Sequence, residues 1–103
     1  MAYRYEFTGA AAKDLFKLAR HNGRLLHRIT TDDTPAILRD PLAMGSPKHG
    51  PLSGVFAYAF VLSGVAYRLA YTVDTEKDLV TFIAVGPHDP TYTRAARRLL
   101  SER

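Results

Sequence analysis

The chain contains no cysteine and no tryptophan among its 103 residues. The lack of cysteine excludes a disulfide scaffold, a thiolate zinc site and a cysteine nucleophile. The histidines, at positions 21, 27, 49 and 88, are never three or four residues apart, so no helical metal site is predicted. The sequence also lacks a phosphate-binding loop and a glycine-rich dinucleotide motif. We therefore expect neither a metal nor a cofactor.

Long apolar runs are also missing. The longest, residues 55–62, has the length of a strand and falls far short of the roughly 18 residues that a membrane helix needs. The N-terminus has no basic segment followed by an apolar one, so no secretory signal is predicted. From this we expect a single domain over residues 1–103, no membrane partner and a cytoplasmic location.

Positive charge exceeds negative charge in this chain. Lys and Arg number 14 and Asp and Glu number 10, giving a formal net charge of +4. Such a balance suggests a polyanionic partner, although many small basic domains bind no polyanion. Lys13 and Lys17 near the start, and Arg94, Arg97 and Arg98 near the end, are the candidate nucleic-acid-binding residues. Both groups could equally be the solvated faces of helices.

The first part of the chain predicts a strand followed by two helices. Residues 3–7 alternate between aromatic and charged side chains, as half-buried strands do. Thr8 is placed to cap a helix in which Asp14, with its neighbouring lysines, is expected to face outward. A second helix begins near Arg24 and is expected to be kinked or restarted at Thr34 and Pro35, an N-cap followed by a first-turn proline. Asp32 and Asp33 would then add favourable charge at a helix start.

The second part of the chain predicts a sheet. Three strand patterns, residues 55–62, 66–74 and 79–85, are separated by short turns and should pair as an antiparallel meander. Residues 92–100 predict a short basic C-terminal helix or tail. Helices followed by strands indicate an α+β fold, in which the meander joins the N-terminal strand in one sheet and the helical hairpin covers one face.

Three residues after position 66 could carry chemistry. Alternation along the strand places Arg68 on the face opposite Tyr67 and Leu69, where its guanidinium could bind a phosphate or simply face solvent. His88 follows the last strand and could act as a general acid or base, while Tyr92 could contact a nucleotide. The alternative is an ordinary loop histidine and an aromatic ring packed under the tail.

Several segments, in their order and spacing, resemble the RelE/ParE superfamily of type II toxin–antitoxin toxins. The similarity extends over nearly the whole chain. The matching segments are Tyr5-Glu6-Phe7-Thr8, Lys17-Leu18, Leu38-Arg39-Asp40-Pro41, Pro51-Leu52-Ser53-Gly54, Tyr67-Arg68-Leu69-Ala70-Tyr71-Thr72-Val73-Asp74 and Ala84-Val85-Gly86, with Tyr92 downstream.

The resemblance implies a compact microbial-ribonuclease-like fold and a cognate antitoxin in a toxin–antitoxin hetero-oligomer. For the RelE branch it implies a metal-independent mRNA interferase, an endoribonuclease that inhibits translation by cleaving mRNA on the ribosome. On that model Arg68 stabilises the scissile phosphate, His88 serves as the general acid and Tyr92 contacts or activates the nucleotide.

The chain also departs from the RelE pattern. Toxins of the RelE branch carry lysines on the first strand of the meander, where this chain has apolar residues from Phe56 to Val61. Basic residues that follow the last strand there are replaced by Pro87-His88-Asp89-Pro90. These differences leave two alternatives, a ParE-like toxin that inhibits DNA gyrase by binding and a degenerate member kept for antitoxin or operator binding.

Overall fold

The computed structural model of the chain describes residues 2–87 and 94–98. One sheet is built from the strands β1 (Arg4–Phe7), β2 (Ser46–Pro47), β3 (Phe56–Leu62), β4 (Val65–Asp74) and β5 (Leu79–Pro87). Their order across the sheet is β1-β5-β4-β3-β2. The outer strand β1 runs parallel to β5, and the other neighbours pair antiparallel. The predicted α+β fold, with a meander joined to the N-terminal strand, is confirmed.

Along the chain, most of the helices lie between β1 and β2. They are α1 (Gly9–Ala19), α2 (Gly23–Arg28), a π-helical turn (Ile29–Asp33), α3 (Thr34–Arg39) and α4 (Pro41–Met44), and residues 94–98 form a last short helix, α5. The Thr8 hydroxyl accepts a hydrogen bond from the Ala11 N–H at 3.1 Å, as predicted for an N-cap. Asn22 caps α2 in the same way, through the Leu25 N–H at 3.2 Å.

The prediction that Thr34 is the N-cap of a kinked or restarted helix was wrong. The chain stays helical from α2 through the π turn into α3, and Thr34 itself has helical φ and ψ of −62° and −49° without a side-chain cap. Pro35, which has no N–H, directly follows the last hydrogen bond of the π turn, from the Thr34 N–H to the Ile29 carbonyl. The π turn absorbs the irregularity by widening one helical turn, which keeps the helices continuous.

The sheet has two unlike faces. On the face covered by the helices, large side chains from β3, β4 and β5 pack with Leu25, Ile29 and Ile37 in the main core. On the other face, a smaller cluster of Val55, Ala70, Ile83, Ala84 and Ala95 lies under α5. Alternation along the strands adds Ala57, Ala59, Ala66 and Arg68 to this second face, which we call the Arg68 face.

A β-bulge shapes the Arg68 face. The pairing of β4 with β5 shifts between Ala70 and Tyr71, so Ile83 has no direct partner on β4. Both Ile83 and its neighbour Ala84 consequently pack in the small cluster with Ala95 of α5. The side chains that the bulge places on this face therefore pack against α5 at one end of the face, while Arg68 lies toward the other end.

Candidate functional site

Arg68 lies in the middle strand of the sheet, flanked by small residues. Its partner on β3 is Ala59 and its partner on β5 is Gly86. The side chain is half-buried, and Nη1 donates a hydrogen bond to the Tyr67 carbonyl at 3.1 Å. Because the main core holds Tyr67 and Leu69 on the opposite face, the predicted orientation of Arg68 is confirmed.

The positions paired with β4 around Arg68 carry small or neutral side chains. From residue 66 to 70, the positions paired with β4 on this face are filled by Val61, Ala59, Ala57, Ala84 and Gly86. None of these side chains competes for the guanidinium, and none projects as far as an arginine does. A planar, delocalised cation among such small side chains can donate two parallel hydrogen bonds to a phosphate.

The other two candidate catalytic residues lie outside the described residues. His88 and Tyr92 fall between β5, which ends at Pro87, and α5, whose described residues are 94–98. Their assignment as general acid and nucleotide contact stays a prediction. The structure therefore defines the site by Arg68 and by the two elements that precede and follow this segment in the chain.

Two of the C-terminal arginines form ion pairs with a buried carboxylate. Arg94 Nη1 lies 2.9 Å from Asp14 Oδ1, and Arg98 Nη1 lies 2.8 Å from Asp14 Oδ2. Arg98 Nη2 also donates to Asp14 Oδ1, and the Val85 N–H donates to Oδ2 at 3.1 Å. Asp14 was expected to face outward, but it is 7% exposed and ties α1, β5 and α5 together.

These contacts decide the ionisation of Asp14. Burial opposes its charge, but the hydrogen bonds from Arg98 and Val85 and the charges of Arg98 and Arg94 outweigh that cost and lower its pKa. Arg94 and Arg98 therefore stabilise the fold through Asp14, whether or not they also contact nucleic acid. Arg97, Lys13 and Lys17 are exposed, and all five assignments to nucleic acid remain predictions.

Asp33 is a second buried carboxylate that the sequence did not reveal. Its Oδ1 accepts a hydrogen bond from the Tyr58 hydroxyl at 2.8 Å, and its Oδ2 lies 3.5 Å from Arg28 Nε. Burial raises the pKa of Asp33, because these partners only partly offset the lost solvation. Burial and the bond to Asp33 raise the pKa of Tyr58 to about 12. The cluster joins the π turn to β3 beside the main core, against which Tyr58 packs.

The described part of the chain contains neither a metal-binding cluster nor a membrane-spanning helix. Residues 2–87 and 94–98 hold no group of three histidine or acidic side chains placed to bind a metal ion. Among the helices in those ranges, none has the length and apolarity required to cross a bilayer. These residues do provide an arginine on one face of the sheet and a basic helical hairpin on the other.

The fold and this site define a class of small α+β proteins in which a meander presents an arginine opposite a helical hairpin. Residues 7–95 match the family model described as the ParE-like toxin of type II bacterial toxin–antitoxin systems. The chain belongs to this family, within the RelE/ParE group of toxins. None of the curated proteins matches the chain at the level of sequence.

Solved structures agree with this assignment. A chain of the toxin–antitoxin complex RelBE2 from Mycobacterium tuberculosis is 31% identical with a TM-score of 0.71, covering 85% of this chain and 100% of that one. A free mutant of the E. coli toxin RelE is 27% identical with a TM-score of 0.65, covering 96% and 99%. A YoeB/ParE toxin from Agrobacterium tumefaciens, 20% identical with a TM-score of 0.67 over 82% and 98%, shares the fold.

Proposed function

We propose that this toxin is a metal-independent, ribosome-dependent mRNA interferase whose phosphate-binding group is Arg68. The observation that carries the proposal is the position of Arg68 on a flat face between Ala59 and Gly86. A phosphodiester can approach this face without meeting bulky or acidic side chains at the paired positions. The guanidinium would then lie against the charge that develops in the transition state.

The reaction consists of attack by a ribose 2′-oxygen on the adjacent phosphorus atom. The bond from phosphorus to the 5′-oxygen of the next nucleotide breaks, leaving a 2′,3′-cyclic phosphate and a new 5′-hydroxyl. In this scheme Tyr92 contacts or activates the attacking nucleotide, the proton of its 2′-hydroxyl passes to solvent water, and His88 gives a proton to the departing 5′-oxygen. Arg68 stabilises the additional negative charge on the phosphate oxygens while both bonds are partly formed.

The proposed partners are a cognate antitoxin and the ribosome with its mRNA. The similarity to a chain from a toxin–antitoxin complex supports the antitoxin. The formal charge of +4 and the exposed Lys13, Lys17 and Arg97 support contact with RNA.

Replacement of Arg68 by alanine tests the proposal. We expect the Arg68→Ala protein to fold normally and to lose growth arrest and ribosome-dependent mRNA cleavage, by about a hundredfold or more in rate. Arg39→Ala, which removes an exposed arginine from the last turn of α3, is the matched control and should retain both activities. Equal cleavage by the Arg68→Ala and wild-type proteins would refute the assignment, as would the absence of any cleavage by the wild type.

A ParE-like gyrase inhibitor is the second candidate. It is favoured by the exposed apolar residues at the tip of the β3–β4 hairpin, where Val61 is 59% exposed and Val65 is 45% exposed. These side chains lie on opposite faces of the hairpin, and exposed apolar groups on both faces suit a protein partner better than a phosphate backbone. A DNA supercoiling assay decides between the two, because an interferase leaves gyrase activity unchanged even at excess toxin.

A further inference from the structure

The outer edge of β3 is only partly covered by another strand. The two residues of β2 pair with Phe56 and Ala57, and within the described part of the chain no other strand lies on that side. Residues 58–62 therefore form a sheet edge without a neighbouring strand. Because this edge runs to the tip of the β3–β4 hairpin, where Val61 is 59% exposed, another chain can reach it.

Alternate residues of β3 direct their backbone groups to this free edge. A two-residue turn joins β3 to β4, so Leu62 and Val65 on either side of it exchange hydrogen bonds across the hairpin. Since the direction of the backbone groups alternates along an antiparallel strand, those of Ala59 and Val61 point outward. The Val61 carbonyl agrees with this direction, because it accepts a hydrogen bond at 3.0 Å from Arg28 Nη1 of α2. The edge thus offers donors and acceptors two residues apart to an added strand.

The side chains of β3 lack the features that usually protect a sheet edge. Natural edge strands carry charged residues or proline, which discourage pairing with another chain. β1, at the opposite edge of the sheet, has Arg4 and Glu6, and β2 has Pro47. Residues 56–62, in contrast, are all aromatic, aliphatic or alanine, the composition of segments that pair with copies of themselves. No charge on β3 therefore opposes a strand of the same sequence.

These features select a second copy of this chain as the partner. We propose that two copies pair antiparallel along the β3 edge, with the two Phe60 residues opposite each other at a twofold axis. Ala59 of each copy then pairs with Val61 of the other, so the outward N–H and carbonyl groups bond across the axis. The Val61 carbonyl can accept this bond beside the one from Arg28, because a carbonyl oxygen has two lone pairs.

The pairing does not involve the proposed phosphate site. Arg68 lies on β4, one strand inward from the edge, where its partner on β3 is Ala59. Residues opposite each other in an antiparallel pair lie on the same face of the sheet, so the Arg68 residues of both copies face the same side. A dimer would thus present two arginines on one surface. Its formation does not depend on nuclease activity.

Analytical ultracentrifugation of the full-length chain measures the association. Because the contact is small, we expect a reversible dimer with a dissociation constant of about 100 μM. Val61→Lys places a charge on the pairing edge and should raise this constant at least about tenfold. The matched control is Val65→Lys, which adds the same charge to the same hairpin but on β4, and it should associate as the wild type does. Tyr5→Lys, on the other edge of the sheet, should also leave the constant unchanged.

Amide hydrogen exchange locates the interface. Raising the protein concentration should slow exchange at Ala59 and Val61, whose N–H groups gain partners, and leave it unchanged at Tyr58 and Phe60, whose N–H groups already bond to β4. A wild type that stays monomeric at about 1 mM would overturn the proposal, and so would equal association of Val61→Lys or its loss in Tyr5→Lys. If the chain alone were monomeric and only the protein encoded by the adjacent open reading frame slowed exchange at Ala59 and Val61, the edge would belong to that protein and not to a second copy.

Discussion

Arg68 and Arg98 serve the same face of the sheet in contrasting surroundings. Arg98 is joined to the buried Asp14 by two side-chain nitrogens and also donates to the Ile83 carbonyl. Arg68, by comparison, lies among alanine and glycine partners on the neighbouring strands. Arg98 thus holds α5 against the buried Asp14, whereas Arg68 lies within the sheet beside small side chains.

Removal of Asp14 should give the largest loss of stability. Asp14→Asn withdraws the charge that both Arg94 and Arg98 share, so we expect the free energy of unfolding to fall by about 3 kcal/mol. Urea denaturation measures this loss. Asp32→Asn, at an exposed position, is the control and should change stability by less than about 0.5 kcal/mol. A similar midpoint for both variants would contradict the structural role of Asp14.

The two buried carboxylates should respond to pH in opposite directions. Because the pKa of Asp14 is lowered by folding, its contribution is present above its unfolded pKa and is lost as the pH falls through the folded value. The pKa of Asp33 is raised, so its ionisation costs stability as the pH rises through the folded value. Between roughly pH 3 and 6, Asp14→Asn should flatten the rise of stability with pH and Asp33→Asn should steepen it.

Unfolding midpoints measured across this pH range check both slopes. The Asp33→Asn variant keeps an oxygen that can accept the Tyr58 hydrogen bond, so its change in slope isolates the charge. A flatter profile in both variants would mean that the environment of Asp33 favours its charged form.

The smallest effect is expected at Arg97. It is exposed, whereas its neighbours Arg94 and Arg98 reach Asp14 from one side of α5. Arg97→Ala should leave the free energy of unfolding within about 0.5 kcal/mol of wild type. If Arg97 contacts a phosphate, the slope of log affinity for RNA against log salt should fall by about one. If Arg97→Ala lowered the free energy of unfolding as much as Arg98→Ala does, the proposed difference between these two arginines of α5 would be wrong.

Local patterns predicted the parts of this fold that depend on neighbours in sequence. The alternation of β4 placed Arg68 opposite Tyr67, and Thr8 was identified as a cap because its partner is three residues away. Asp14 could not be placed in this way, since Arg94 and Arg98 are 80 and 84 residues distant. A lone acid among lysines on an amphipathic helix reads as solvent-facing until the tertiary partners are known.

Partners that are distant in sequence also explain why the sequence patterns did not place Asp33 and Phe16. Asp33 looked like favourable charge at a helix start, but its partner Tyr58 lies 25 residues further on. Phe16 stands beside the apolar stripe of α1, so periodicity alone could not show whether it joins the core or lines a groove. One feature of the sequence did indicate that Phe16 is exposed, because it lies between Lys13 and Arg20 on the charged side of the helix.

Growth arrest by the Arg68→Ala variant, scaled to the amount of folded protein, tests the central claim most directly. Because Arg68 forms no part of the Asp14 network among the described residues, the variant should keep that network and its fold. We predict that it causes no growth arrest at the same folded concentration. Full growth arrest by a normally folded Arg68→Ala protein would contradict the account.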